Sequence, residues 1–133
     1  MTIIESEKVE INNSSENIYN FLSDFNNFEK IMPNQVINFE STIDECSFTL
    51  QGVPVIGMHI VDRLPNSEIR IESTVKSPFE FNLSCKIDNT DKDKCNSQLV
   101  FESELDPMME MLVENLLQNF FNLLVEKLKE IND

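Results

Sequence analysis

A long amphipathic helix is predicted for the C-terminal stretch DPMMEMLVENLLQNFFNLLVEKLKEIND, from Asp106 to Asp133. Asp106 is a good N-cap, because its carboxylate can accept hydrogen bonds from the free amides of the first turn. Pro107 suits the first helical position, where a missing N–H costs nothing. At about 100° per residue, one side of the helix is apolar and the other carries Glu, Asn, Gln and Lys. The apolar side consists of Met109, Leu112, Val113, Leu116, Leu117, Phe120, Leu124, Leu128 and Ile131.

The apolar side of this helix spans roughly half of its circumference, because Phe121 and Leu123 widen it at the edges. It is therefore broader than the narrow seam of a two-stranded coiled coil. At about 1.5 Å per residue the helix would be roughly 35–40 Å long, which is enough to cross a small domain. The sequence predicts a helix that the rest of the chain must cover.

The chain begins with a predicted strand and a short predicted helix. The strand covers Thr2–Ile11, with Glu5 and Glu7 on the same face as Val9 and Ile11. A polar loop and a serine-rich cap follow, and a proline closes the helical segment. The apolar residues at helical spacing are Ile18, Phe21, Leu22, Phe25 and Phe28.

Short strands and turns alternate between Gln35 and Leu105. The predicted strands are Val36–Ser41, Cys46–Leu50, Val55–Val61, Glu68–Glu72, Phe79–Ile87 and Gln98–Leu105, with a polar turn at Asp88–Lys94. Such short connections favour antiparallel neighbours. We therefore predict an α+β fold in a single domain, residues 1–133. Its curved antiparallel sheet wraps around the long C-terminal helix, and a short helical segment follows the first strand.

The opening VEINNSSENIYNFLSDFNNFEKIMP has a strand that ends in an isoleucine, a serine-rich cap and a helix that ends in Leu22-Ser23-Asp24. An aromatic residue and a proline follow. This opening segment and the order of elements in the whole chain resemble the helix-grip fold of the START-like superfamily, also called SRPBCC. This superfamily includes lipid-transfer domains, polyketide cyclases and plant allergens. The chain departs from the common pattern at Phe28–Ile31, where many members carry a tryptophan before the proline.

The resemblance implies a ligand site between the concave sheet and the long helix. By position, the strand residues that point inward and the first half of the helix would line it. The residues so implied are Phe79, Phe81, Leu83, Phe101, Met109, Leu112, Leu116 and Phe120, and we add His59 as a candidate. Members of the superfamily bind hydrophobic ligands, catalyse cyclisations and dehydrations, or regulate other proteins. The resemblance therefore does not select one function.

His59 is the only histidine of the chain. Both faces of its strand are apolar, so periodicity does not decide which way the imidazole points. A hydrogen-bonded or solvent-facing histidine is the plain interpretation, and a catalytic base or ligand donor is the alternative. If the strand face with Glu5 and Glu7 is the concave one, these carboxylates are candidates for acid–base chemistry. The alternative is that they are ordinary solvated side chains near a strand end.

Three cysteines, Cys46, Cys85 and Cys95, are odd in number and lack the spacing of metal ligands. They fit reduced structural thiols, and a redox pair of Cys85 and Cys95 across a hairpin is the alternative. With only Gly52 and Gly57 in the chain, a phosphate-cradling loop is not expected. The sequence predicts no metal and no cofactor.

The formal net charge of the chain is −14. Its field should repel nucleic acid and anionic membrane surfaces, so we expect neither as a partner. No signal peptide and no apolar run of about 18 residues are seen, so we expect no membrane insertion and a cytoplasmic location. The acidic composition fits a solvated surface. Binding of a basic protein partner is the more specific alternative.

Three functional hypotheses follow from these patterns and from what the resemblance implies. The first is binding of a small hydrophobic or amphipathic molecule, such as a lipid, without catalysis and with no catalytic residue assigned. The second is an enzyme of the cyclase or dehydratase kind that uses His59 or an inward acid. The third is an acidic protein-interaction module with a filled core. The oligomeric state stays open, since an exposed strand edge allows a dimer without requiring one.

Overall fold

The computed structural model describes residues 1–131, apart from the side chain of Pro54, and shows a sheet that wraps around one long helix. In chain order the elements are β1 (Thr2–Glu5), β2 (Val9–Ile11), α1 (Ser15–Leu22), a 3₁₀ segment (Phe25–Ile31), β3 (Val36–Ser41), β4 (Glu45–Leu50), β5 (Val53–Leu64), β6 (Glu68–Ser73), β7 (Asn82–Asp91), β8 (Lys94–Ser103) and α2 (Pro107–Glu130). The predicted α+β helix-grip fold is confirmed.

The sheet is antiparallel at every pairing among the described strands. Its order is β1-β8-β7-β6-β5-β4-β3, and β2 pairs with β8 beyond the end of β1. Consecutive strands from β3 to β8 are neighbours, as the short predicted turns require. The sheet therefore curls as one continuous layer, and its concave face is available for α2.

Helix α2 begins where the sequence predicts it. The Asp106 carboxylate accepts a hydrogen bond from the Met109 amide at 2.8 Å, and Pro107 occupies the first turn. The helix ends at Glu130 with Ile131 as its C-cap, so the predicted helical end at Asp133 lies outside the described residues. Its buried side chains are Val113, Leu117, Phe120, Phe121, Leu124, Val125 and Leu128.

The predicted first strand is in fact two strands, because the chain breaks its alternation at Ser6–Lys8. Ser6 turns inward, where its hydroxyl accepts a hydrogen bond from the Leu99 amide at 2.9 Å. The parity of the chain changes there, and Val9 is buried while Glu5 and Glu7 are exposed. The prediction that these glutamates share a face with Val9 is therefore wrong.

The β7–β8 hairpin is longer than predicted. Polar residues of the predicted turn Asp88–Lys94 continue both strands up to a tight turn between Asp91 and Lys94. In this register Cys85 pairs with Leu99, and Cys95 pairs with Asn89. The prediction that the two cysteines face each other across the hairpin is wrong, because exposed polar strands resemble turns in the sequence.

The helical segment after the first strand is divided at Ser23. Asp24 starts the 3₁₀ segment by accepting a hydrogen bond from the Asn26 amide at 2.9 Å. The Arg63 guanidinium donates to the Ser23 carbonyl at 2.8 Å, which satisfies a carbonyl that the end of a helix leaves free. Because the helix breaks here, the Phe25 and Phe28 rings are both buried and pack against each other with their centroids 4.8 Å apart.

The polar side of α2 binds the N-terminal edge of the sheet. The Gln118 amide donates to the Glu5 carbonyl at 2.7 Å, and the Asn122 side-chain oxygen accepts from the Glu7 amide at 2.9 Å. The Thr2 hydroxyl also donates to the Glu110 carboxylate. The bonds of Gln118 and Asn122 satisfy backbone groups that an edge strand would otherwise leave open.

The opposite edge of the sheet, β3, is irregular. Its register with β4 shifts between Ile37 and Glu40, and Asn38 adopts a left-handed backbone with φ 56°. A bulge of this kind bends the strand and disrupts a regular row of edge hydrogen bonds.

None of the helices in the described part of the chain is long and apolar enough to cross a membrane.

We predict that Asn122→Ala lowers the free energy of unfolding by about 1 kcal/mol, because the Glu7 amide loses its partner. The measurement is urea unfolding at 25 °C, together with hydrogen exchange of the Glu7 amide, which should become faster. Asn119→Ala is the matched control, since Asn119 is exposed on the same helix. Equal unfolding midpoints for the two variants would contradict the role of Asn122.

Candidate functional site

An internal cavity of about 20 Å³ lies between the concave face of the sheet and α2. Every lining residue is apolar. The lining residues are Phe28, Phe48, Ile56, Met58, Phe79, Phe81, Leu83, Leu99, Phe101, Leu117, Phe120, Phe121 and Leu124. Because no polar partner faces it, a cavity of this kind favours apolar occupants over water.

The inward positions of the strands supply one half of this lining. Leu83 on β7 and Phe101 on β8 are direct cross-strand partners, and both are buried. Strand alternation places such residues on one face, and Phe48 and Met58 reach the cavity in the same way from β4 and β5. The second half of α2 closes the cavity from the other side.

Seven phenylalanine rings form a continuous series around the cavity, which we call the phenylalanine series. Neighbouring ring centroids are 5.3–6.3 Å apart, within the range of favourable ring contacts. In order of contact, its members are Phe79, Phe81, Phe101, Phe121, Phe120, Phe48 and Phe39. The series connects a surface loop at one end to the β3 edge at the other.

Phe79 and Phe81 line a second space as well as the cavity. This space is an open groove of about 890 Å³ at the end of β6 and the start of β7, which we call the outer groove. The carboxylates that line it are Glu72, Glu80, Glu102 and Glu104. The two rings therefore separate an apolar interior from an acidic groove that is open to solvent.

Five residues that the sequence singled out line the cavity: Phe79, Phe81, Leu83, Phe101 and Phe120. Their contribution to ligand binding stays a prediction. Phe79 lies in the loop before β7 rather than in the strand, and it is half-buried.

Three residues predicted on α2 do not line the cavity. Leu112 is 69% exposed, so its predicted place on the covered side of the helix is wrong. Met109 is half-buried. Leu116 is also half-buried and packs against the turn at Gly52, where an added Cβ would lie 3.1 Å from its methyl group. The cause is the position of the sheet, which fully buries side chains of α2 only from Val113 onward.

His59 lies on the outer face of the sheet. Its cross-strand neighbours are Glu45 and Glu72, both exposed, while the adjacent Met58 is buried and lines the cavity. The imidazole is half-buried and belongs to a surface groove that also includes Arg63. This is the solvent-facing strand histidine of the plain interpretation.

Eight of the lining residues were not among the candidate site residues predicted from the sequence. They are Phe28, Phe48, Ile56, Met58, Leu99, Leu117, Phe121 and Leu124. Alternation along the predicted strands was a usable signal for Phe48 and Leu99. Helical spacing placed Phe28 on an apolar side, but it did not indicate the cavity, which Phe28 reaches because the helix breaks after Ser23.

No protein-family model matches the chain, and no curated protein matches it. Solved structures do match. A START superfamily protein from Mycobacterium smegmatis is 17% identical, with 96% of this chain and 94% of that chain covered and a TM-score of 0.69. A norcoclaurine synthase point mutant from Thalictrum flavum, in complex with a transition-state analogue, is 13% identical, covers 98% and 92%, and has a TM-score of 0.77.

The Aha1 dimer from Colwellia psychrerythraea is 16% identical, with 100% of this chain and 99% of that chain covered and a TM-score of 0.66. The chain has a START-like fold. The resemblance in the opening sequence is thus confirmed at the level of the fold. Identities this low show the START-like fold alone, so the activities of these proteins are not transferred with it.

No titratable side chain of the described residues lines the cavity of this START-like fold. Residues 1–131 also contain no group of three or more His, Cys, Asp or Glu side chains that could hold a metal ion. The cavity can therefore bind apolar groups, but its lining offers no proton carrier.

The three cysteines are free and buried. Burial raises the pKa of the Cys46 thiol from 9.0 to about 12. Burial raises the pKa of Cys85 to about 12 as well, and the nearby Glu68 carboxylate adds to it. The pKa of Cys95 is also raised by burial. Such thiols stay protonated and unreactive at neutral pH, which fits structural roles.

We predict that Phe101→Ala lowers the free energy of unfolding by about 3–5 kcal/mol, because it removes a fully buried ring from the centre of the phenylalanine series. Phe79→Ala should lower it by only about 1–2 kcal/mol, because Phe79 is half-buried at the end of the series. Urea unfolding of the two variants checks the difference. Similar losses would show that Phe79 is as firmly held as Phe101.

We predict that stability falls as the pH rises from about 9 to about 12, because the unfolded thiols lose protons that the folded Cys46 and Cys85 retain. Below pH 9 both states hold these protons, so the thiols do not affect the free energy of unfolding there. The measurement is urea unfolding at about pH 8 and about pH 10.

Cys85→Val is the control for the thiol, since valine has a similar volume and does not titrate. It should lose less stability over that interval than the unmodified chain, by up to about 1.4 kcal/mol per pH unit. An equal loss in both proteins would assign the alkaline sensitivity to other groups.

Proposed function

We propose that this protein binds a small molecule whose apolar end occupies the cavity and whose polar end lies in the outer groove. The observation that carries the proposal is the lining of the two spaces. The described lining of the interior is apolar, and Phe79 and Phe81 are the two residues that line both the interior and the acidic groove. A ligand that passed between them would be amphipathic.

The volume of the cavity limits how such a ligand can bind. A space of about 20 Å³ holds little more than one water-sized probe. A ligand must therefore displace a side chain, and the space that one phenylalanine ring vacates matches one aromatic ring. We infer that the ligand carries a single ring or a short aliphatic chain at its apolar end.

Phe79 is the side chain that can move at the least cost. It is half-buried, and its ring centroid lies 6.0 Å from that of Phe81 and 6.3 Å from that of Phe101. It belongs to the β6–β7 loop (residues 74–81), in which Val75 is fully exposed. Phe101, by contrast, is held on β8 and is 2% exposed.

The gain from burying one aromatic ring exceeds the cost of displacing Phe79, so the unmodified chain should bind such a ring weakly. An aromatic ring that buries about 150 Å² of apolar surface gains about 4 kcal/mol. Displacement of Phe79 costs about 1–2 kcal/mol of that gain. A ligand of one ring alone should therefore bind in the millimolar range, and contacts in the outer groove would have to supply further affinity.

The charge of the outer groove selects the polar end of the ligand. Glu72, Glu80, Glu102 and Glu104 line it, and the Met1 ammonium is 3.9 Å from the Glu104 carboxylate. Carboxylates that outnumber the one nearby cation favour a neutral or positively charged group over an anion. We infer a ligand with an amine or hydroxyl end rather than a fatty acid.

Comparison with norcoclaurine synthase supports a small-molecule role for a START-like fold, since that protein was solved in complex with a transition-state analogue. Binding without catalysis is favoured here over a cyclase or dehydratase activity. The reason is that the described lining of the cavity provides no proton carrier and that His59 faces the other side of the sheet. We also propose a cytoplasmic location, which the three free, buried thiols support because they fit a reducing compartment.

The test is ligand-observed NMR with fluorobenzene, benzylamine and benzoate. Fluorobenzene should bind with a millimolar Kd, benzylamine should bind more tightly, and benzoate should bind least. Phe79→Ala should tighten fluorobenzene binding about 5–30-fold, because the cost of displacing the ring is removed. Val55→Ala is the matched control, because Val55 is exposed on the outer face of β5 and lines neither space, and it should leave the Kd unchanged.

The proposal fails if neither the unmodified chain nor Phe79→Ala binds fluorobenzene. It also fails if the Val55→Ala control changes the Kd as much as Phe79→Ala does. Retained near-ultraviolet circular dichroism would show that any binding belongs to the folded state.

A further inference from the structure

The β6–β7 loop is attached to β5 at Gly57. The Thr74 amide donates to the Gly57 carbonyl at 2.9 Å, which continues the pairing of β5 with β6 into the loop. The Ser77 hydroxyl accepts from the Gly57 amide at 2.9 Å and donates to the Gly57 carbonyl at 2.7 Å. We call these two bonds of Ser77 the loop anchor.

The missing side chain of Gly57 permits this close approach. A Cβ at that position would lie 2.3 Å from the Thr74 hydroxyl oxygen and 3.0 Å from the Lys76 Cβ. The loop therefore rests directly on the backbone of β5, where a single hydroxyl reaches both polar groups of Gly57.

Phe79 follows the loop anchor by only two residues. Two residues span at most about 7 Å, and Pro78 between them has a φ fixed near about −65°. The backbone of Phe79 therefore stays near Gly57 for as long as both bonds of Ser77 are made.

The other end of the loop is held more firmly. The Ser103 hydroxyl, which is buried, donates to the Glu80 carbonyl. The Phe81 amide donates to the Ser73 hydroxyl at 3.0 Å, and the Phe81 carbonyl accepts from the Ser73 amide at 3.1 Å. Ser77, in contrast, is half-buried and lines the open outer groove, so water can replace its bonds. The loop anchor is the attachment that opens at the least cost.

These attachments define two ways in which the Phe79 ring can leave the cavity. With the loop anchor closed, only the side chain rotates, and the space it vacates matches one aromatic ring. With the loop anchor open, the backbone around Phe79 moves as well, and the cavity joins the outer groove through a wider opening. A ligand with two fused rings needs this second, larger space.

We propose that the loop anchor restricts the cavity to ligands with a single ring, and that Ser77 is the positioning residue that sets this restriction. The inference rests on the proposed function, since it concerns which molecules enter the same cavity. A two-ring ligand binds only the minor state with an open anchor, so its affinity is reduced in proportion to the population of that state. Loss of the Ser77 hydroxyl raises that population.

The test compares fluorobenzene with 1-fluoronaphthalene by ligand-observed NMR. Ser77→Ala should tighten fluoronaphthalene binding by about 10-fold and leave the Kd of fluorobenzene nearly unchanged. A change of about 10-fold equals about 1.4 kcal/mol, which is of the order of the net contribution of two hydrogen bonds. Ser77→Thr keeps the hydroxyl and should restore the Kd ratio of the unmodified chain.

Gly57→Ala provides a second route to the same state, because the added Cβ pushes the loop away while the Ser77 hydroxyl remains. It should change the Kd ratio as Ser77→Ala does. Asn82→Ala is the matched control, since Asn82 is exposed and lines the outer groove from β7. It should leave the Kd ratio unchanged.

Hydrogen exchange of the Gly57 amide reports the loop anchor without any ligand. Exchange should be faster in Ser77→Ala and return to the original rate in Ser77→Thr. The inference alone is overturned if fluorobenzene binds but the Kd ratio stays the same in Ser77→Ala, or if Ser77→Thr or Asn82→Ala changes the ratio equally. Absence of fluorobenzene binding in every variant would overturn the proposed function, and this inference with it.

Discussion

Burial of the apolar side of α2 in the concave sheet is the interaction on which the rest of the structure depends. Neither partner could remain in water alone, because the helix carries seven buried side chains and the sheet presents a dry face of phenylalanine, leucine and isoleucine. The phenylalanine series shows how closely the two surfaces fit. Two rings from α2, Phe120 and Phe121, lie side by side in the middle of the series, between rings from the strands, and the contacts run unbroken from the β6–β7 loop to β3.

This close fit bears directly on function. A fold that left a wide interior would bind ligands without rearrangement, whereas here the interior is almost filled. Selectivity would then depend on the ring that yields most easily, which is Phe79 at the end of the series. The β6–β7 loop that carries it rests on β5, where the Ser77 hydroxyl both accepts from the Gly57 amide at 2.9 Å and donates to the Gly57 carbonyl at 2.7 Å. A glycine is needed at this contact, because an added Cβ would lie 2.3 Å from the Thr74 hydroxyl.

Local signals in the sequence were sufficient for the helix start at Asp106, for the order of the elements and for the overall grip, because capping and periodicity depend on nearby residues alone. They were insufficient wherever a distant residue decides the outcome. The inward turn of Ser6 depends on Leu99, and the break after Ser23 depends on Arg63. The side on which His59 lies was undecided because Val55 and Val61 make the outer face of β5 apolar too. Leu112 fits the apolar side of the helix by periodicity, but only the extent of the sheet determines that it is uncovered.

The two outermost strands have a consequence for how these molecules behave at high concentration. Sheets can polymerise by adding a strand from a neighbouring molecule wherever a straight edge offers free amides and carbonyls. At one border, side chains of Gln118 and Asn122 already occupy such groups, and at the other the kink around Asn38 spoils the match. With like charge on every copy, both borders are poor templates for fibril growth, although the chain is rich in phenylalanine and β-structure.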